Sequence, residues 1–96
     1  MSVPCPVFGF TVIVRATTGS TSSEIDSLAV DLETFAGWHG MAVESGSLGS
    51  AMLFMVTRDG SQATHADREL LLSWSERWRR AAEIEISGLM DLAGDR

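Results

Sequence analysis

A strand, a turn and a capped helix follow one another between Gly9 and Asp26, and the same unit returns from Ser50 through Thr64-His65-Ala66-Asp67. This repeat limits the folds open to the chain more than any other feature. Phe8, Phe10, Val12 and Val14 alternate with Gly9, Thr11, Ile13 and Arg15, the period-two pattern of a strand. Thr21 followed three residues later by Glu24 predicts a capping box. Ile25, Leu28, Ala29, Leu32, Phe35 and Ala36 then share one helical face of roughly 120°. Gly37 is the expected C′ residue that ends this helix.

In the second half, Met41 to Ser45 reads as a short strand and Gly46-Ser47-Leu48-Gly49 as a hairpin turn. Ser50 to Thr57 reads as the most apolar strand and Arg58-Asp59-Gly60 as a turn. Thr64 and Asp67 predict a second capping box, and Leu70, Leu71, Trp74, Trp78 and Ala81 fall on one face of the helix that follows. Glu83 to Ser87 alternates again as a strand, with a short tail at Leu89, Met90 and Leu92. The order βαββαβ predicts an α+β, ferredoxin-like two-layer sandwich: a four-stranded antiparallel sheet, strands 1 and 3 central, with both helices on one face. Residues 1–96 read as one domain, with a flexible leader at 1–7 and a flexible tail at 93–96.

Composition removes several function classes. The chain is 45% hydrophobic and 21% charged, as expected of a globular protein, and Cys5 is its single cysteine, so neither an internal disulfide nor a CxxC metal site is possible. Seven arginines and no lysine stand against thirteen acids, a net charge of −6 that opposes non-specific attraction to DNA or RNA phosphates. The residues before Phe8 lack a secretory pattern, and no apolar run approaches the roughly 20 residues of a spanning helix. The expected location is the cytoplasm, with no membrane partner.

No cluster declares a reaction. His39 and His65 have no spaced His, Cys or carboxylate companion for a metal, and Gly46-Ser47-Leu48-Gly49 fails the GxSxG spacing. The hydroxyl-rich stretch from Thr17 to Ser23 offers donors at a helix N-terminus, but Thr21 and Glu24 use some of them, and Glu24 and Asp26 repel an anion. Arg68, Arg77, Arg79 and Arg80 accompany Trp74 and Trp78 in the second helix. Their helical angles place the arginines on both flanks of the apolar stripe and the tryptophans within it, the pattern of a solvated helix. Arg15 after the first strand resembles the phosphate-binding arginine of acylphosphatases. That family's glycine- and valine-rich loop and its water-placing asparagine have no counterpart here, so acyl phosphate hydrolysis is the weaker alternative.

If both helices cover one face of the sheet, the residues turned away from them are unusual. Thr11, Ile13, Leu53 and Met55 form an apolar centre, with Glu44, Glu83 and Glu85 toward the edges. Contiguous apolar area of this kind has a cover. Either the tail Leu89-Met90-Leu92 folds back over it, or a second copy or a heterologous partner docks there.

An ordered set of residues extends this reading. Gly9-Phe10-x-Val12 with Arg15, Gly19 with Thr21-Ser22-Ser23-Glu24-Ile25-Asp26 and Asp31, Gly60 with Thr64 and Trp74, and Glu83-Ile84 with Leu89-Met90-Asp91-Leu92 resemble the YggL family. The match runs from about residue 8 to residue 92. The resemblance implies a small cytoplasmic bacterial protein that binds the large (50S) ribosomal subunit, without catalytic residues, cofactor or metal. The family's basic N-terminal extension has no counterpart here, and the acidic margins match a basic ribosomal protein better than rRNA phosphate. The candidate partner-binding residues are Thr11, Ile13, Arg15, Leu53, Met55, Glu83 and Glu85, with Arg77 and Arg80 of the second helix. A homodimer or other homo-oligomer through the same face is the alternative.

Overall fold

The computed structural model describes residues 8–17, 19, 21–58 and 62–91. The expected leader and tail, Cys5, Leu92 and most of the Arg58-Asp59-Gly60 turn lie outside them. The elements run β1 (Phe8–Ala16), α1 (Ser22–Trp38), β2 (Met41–Leu48), β3 (Ala51–Arg58), α2 (His65–Ser75), a 3-10 turn (Glu76–Trp78), β4 (Ala82–Ile86) and β5 (Met90–Asp91). The antiparallel sheet has the order β2-β3-β1-β4, with β5 beside the start of β1. This is the expected α+β ferredoxin-like sandwich, with the two most apolar strands at its centre.

Alternation along the strands sorts the faces as expected. Phe10, Val12, Phe54 and Val56 are fully buried against Leu28, Leu32 and Ala36 of α1 and Leu71 and Trp74 of α2. Met52, Ile84 and Ile86 are partly buried against the same core. Removing one such aromatic or aliphatic side chain from water contributes about 1.5–3 kcal/mol, so this layer carries most of the driving force.

Both capping boxes form. The Thr21 hydroxyl accepts from the Glu24 amide at 3.1 Å and the Glu24 carboxylate accepts from the Thr21 amide at 2.9 Å. Thr64 and Asp67 repeat the exchange at 3.3 and 3.0 Å.

Several boundaries differ from the sequence reading, among them that of β3, which runs over Ala51–Arg58 rather than Ser50 to Thr57. Helix α1 passes Gly37 and ends at Trp38, with His39 as C-cap; the left-handed residue is Gly40, at φ +75°. Gly37 has the same C′ propensity, but the helical bonds continue through it and His39 and Gly40 close the end. The hairpin turns at Gly49-Ser50 rather than across 46–49, because Gly46 and Ser47 stay in register with Leu53 and Met52. Helix α2 stops at Ser75, whose hydroxyl donates to the Leu72 carbonyl at 2.7 Å, so Arg77 to Ala81 are not α-helical. Strand β4 starts one residue early, at Ala82, and ends at Ile86.

The tail, one of the two expected covers of the open face, runs elsewhere over its described residues. Pairing of β1 with β4 places Val12 opposite Ile86, whereas pairing with β5 places Gly9 opposite Met90, a shift of one residue. A β-bulge at Ser87-Gly88-Leu89 absorbs the extra residue. Ser87 bridges it: its amide donates to the Thr11 carbonyl at 2.9 Å, and its hydroxyl accepts from the Thr11 amide at 2.9 Å. The described residues Met90 and Asp91 therefore extend the sheet beside β1 instead of folding over the open face. Leu89 packs into the helix-side core, while Met90, opposite Gly9, falls on the other face and is 39% exposed.

Candidate functional site

The sheet face away from the helices is built from directly opposed residues. Ile13 stands between Leu53 on β3 and Glu85 on β4, and Leu53 stands opposite Gly46 on β2. In the neighbouring row Thr11 faces Met55, and Met55 faces Glu44. Opposed residues of an antiparallel pair point to the same face, so the predicted centre and margins share one surface. Thr11, Ile13, Leu53 and Met55 are each half-buried, and both helices lie on the other side. Gly46 is exposed and carries no side chain, which leaves the flank of Leu53 open, whereas Gly9, opposite Met90, is buried.

Electrostatics divide this face. Glu44 lies on the β2 edge, and Glu83 and Glu85 lie on the β4 edge. Arg15 is opposite Glu83, but its guanidinium donates diagonally to Glu85 at 2.8 Å. These side chains are 45% and 69% exposed, so the pair adds little stability and remains open to exchange with a partner. Three carboxylates against one guanidinium leave the margin acidic.

Seven of the nine predicted residues, Thr11, Ile13, Arg15, Leu53, Met55, Glu83 and Glu85, thus come together. Arg77 and Arg80 do not join them. They lie on the turn between α2 and β4, where Arg77 approaches Asp31 of α1 at 3.6 Å. Met90 escapes sequence reasoning, because its face depends on the bulge at Ser87-Gly88-Leu89. Gly9, alone among the inner residues of β1 in lacking a side chain, is the signal that a neighbour could occupy that position.

Arg58 and Arg68 are structural. Arg58 grips Asp67 with two hydrogen bonds, one of them 3.0 Å from Nε to Oδ2. Arg68 donates to the carbonyls of Ser87 at 2.7 Å and Ile86 at 3.1 Å, tying α2 to the bulge. On the helix side, Asp31 Oδ2 accepts from the indoles of Trp74 at 2.7 Å and Trp78 at 2.9 Å. Partial burial pushes the Asp31 carboxyl upward, but the Trp78 and Trp74 donors and Arg77 outweigh it and hold it below the usual range. Trp78 is half-buried rather than enclosed as the helical stripe implied, since it sits on the 3-10 turn.

The depression at the start of α1, about 290 Å³, is lined by Ala16, Thr21, Ser22, Ile25 and Asp26, with the capping box occupying its donors and Asp26 opposing an anion. His39 packs its ring on Phe35, centroids 4.6 Å apart. Among the described residues no group of three His, Cys, Asp or Glu side chains is placed to hold a metal, and no helix is long and apolar enough to cross a membrane.

Compared with known proteins, the chain matches no family model, and neither the curated proteins nor the solved structures give a significant match.

Proposed function

We propose that this protein is a non-enzymatic binding module of the YggL type that docks its open sheet face on the large ribosomal subunit. The observation that supports this most is the row Ile13-Leu53, covered by no described element, with Met55 and Met90 beside it and Glu44, Glu83 and Glu85 around it. An apolar centre with a charged rim is the anatomy of a protein interface. The sign of the rim selects a basic partner, so a basic ribosomal protein is a better match for this face than rRNA phosphate. Self-pairing through the same face would bring two acidic margins together, and Arg15 alone offsets them.

Co-sedimentation with purified large subunits tests the reading. Micromolar protein is expected to pellet with the subunits at moderate salt and to be released as salt rises. Failure to pellet at any salt removes the proposal.

A further inference from the structure

We infer that the helix layer carries a second binding site, in which an unpaired base of single-stranded RNA enters the cleft between α1 and α2 while its phosphates lie on Arg77, Arg79 and Arg80. The ribosomal reading supplies only the source of that RNA; the site stands on its own geometry.

Among the described residues Arg15, Arg58 and Arg68 are engaged with Glu85, Asp67 and main-chain carbonyls. The remaining three, Arg77, Arg79 and Arg80, fall within four consecutive residues and are all exposed, Arg77 by 61% and Arg79 by 66% of the side chain. Their ion pairs, with Asp31 at 3.6 Å and with Glu76 at 2.7 Å, are exposed contacts that a phosphate displaces at small cost. Among the described residues of this chain of net charge −6, the available positive charge is thus concentrated in one turn.

Trp38 is 80% exposed, whereas Trp74 is buried to 2%. Trp38 stands at the mouth of a cleft of about 480 Å³ walled by Phe35, His39, Leu70 and Trp74, with Arg77 at its rim. This volume is within the range of small-ligand pockets. An exposed indole beside such a cleft is a stacking platform, and every base has a face to stack on it. The planar guanidinium fork suits phosphate oxygens bidentately. Asp26 lines the adjacent depression on α1 and repels phosphate there. An acidic peptide with an apolar anchor satisfies the charges too, but it makes less use of a tryptophan that protrudes instead of forming a pocket floor.

Fluorescence anisotropy of a labelled oligouridylate about ten nucleotides long tests the inference. A dissociation constant of roughly 10–100 μM is expected at low salt, with about two decades of affinity lost per decade of salt for three phosphate contacts on a single strand. Trp38→Ala is expected to weaken binding roughly tenfold, through lost stacking, with an unchanged melting temperature. Arg77→Ala lowers the salt slope by about 0.7. No binding at about 1 mM oligonucleotide, or equal binding by Trp38→Ala, overturns the inference. So does binding of a leucine-containing oligoglutamate in place of the RNA. A protein that pellets with large subunits yet ignores the oligonucleotide loses this site alone, and one that binds the oligonucleotide without pelleting loses only the ribosomal reading.

Discussion

The carboxylate of Asp67 serves two elements at once: it accepts from the Thr64 amide at 3.0 Å in the α2 capping box and receives the guanidinium of Arg58, at the end of β3. Asp67 is 3% exposed, so one buried group fixes both where α2 begins and where it sits against the sheet.

Asp67→Ala removes the carboxylate half of the capping box and the charge-assisted bonds from Arg58 together, and is expected to destabilise by about 2–3 kcal/mol. In a domain of this size that lowers the melting temperature by roughly 8–20 °C. The hydrogen bonds from Arg58, outweighing the opposing effect of burial, hold the Asp67 carboxyl below its usual range. A depressed carboxyl stabilises the fold fully above its unfolded value of about 3.9, and the contribution disappears as pH falls through the lower folded value. Urea denaturation from pH 7 to pH 2 should therefore show an acid-side loss in the parent that is smaller in Asp67→Asn.

Asp31→Ala should leave the Trp74 indole N–H, inside a residue only 2% exposed, without its acceptor. The expected cost is about 1–3 kcal/mol. Near-ultraviolet circular dichroism should change with it, because Trp74 and Trp78 lose their common anchor. An unchanged melting temperature would mean that water replaces the carboxylate.

Gly37 and Gly40 separate two accounts of where α1 ends. Gly37 lies within the helix, and a Cβ added there would meet nothing within 4 Å, so Gly37→Ala should stabilise by about 0.5–1 kcal/mol. Gly40 has φ +75° and a Cβ there would meet Arg58 Nη1 at 3.0 Å, so Gly40→Ala should destabilise by about 1 kcal/mol or more. Paired thermal melts check the opposite signs.

Leu53→Glu places a charge in the half-buried row beside Ile13 without entering the core. It should abolish pelleting with large subunits while stability changes by less than about 1 kcal/mol. Glu83→Lys, at the rim, should weaken association mainly at low salt, where electrostatic steering is strongest. Pelleting by Leu53→Glu at the parent's level would place the contact elsewhere.

Much of this arrangement is legible in the chain. The alternation of Phe10, Val12 and Val14, both capping boxes and the apolar face from Ile25 to Ala36 depend on neighbours within a few residues, and such patterns survive in one dimension. The grouping of Ile13, Leu53 and Met55 follows from the same alternation once the strand order is set. The end of α1 is ambiguous in the sequence because Gly37 and Gly40 carry the same propensity, and only the hydrogen bonds of His39 and Gly40 choose between them. Sequence proximity pairs the arginines with Trp74 and Trp78, whereas the exposed indole beside them, Trp38, belongs to the other helix.

By itself the sequence determined the order of the elements, the faces they bury and the acidic rim, because period, caps and charge are local properties. Tertiary structure alone decided that Arg58 and Arg68 are consumed internally while Arg77, Arg79 and Arg80 stay exposed. It also decided that one carboxylate holds two tryptophans 43 and 47 residues away, and that a bulge turns Met90 onto the open face. Such pairings link positions far apart in the chain, and packing selects them by satisfying buried donors and charges that no local pattern records.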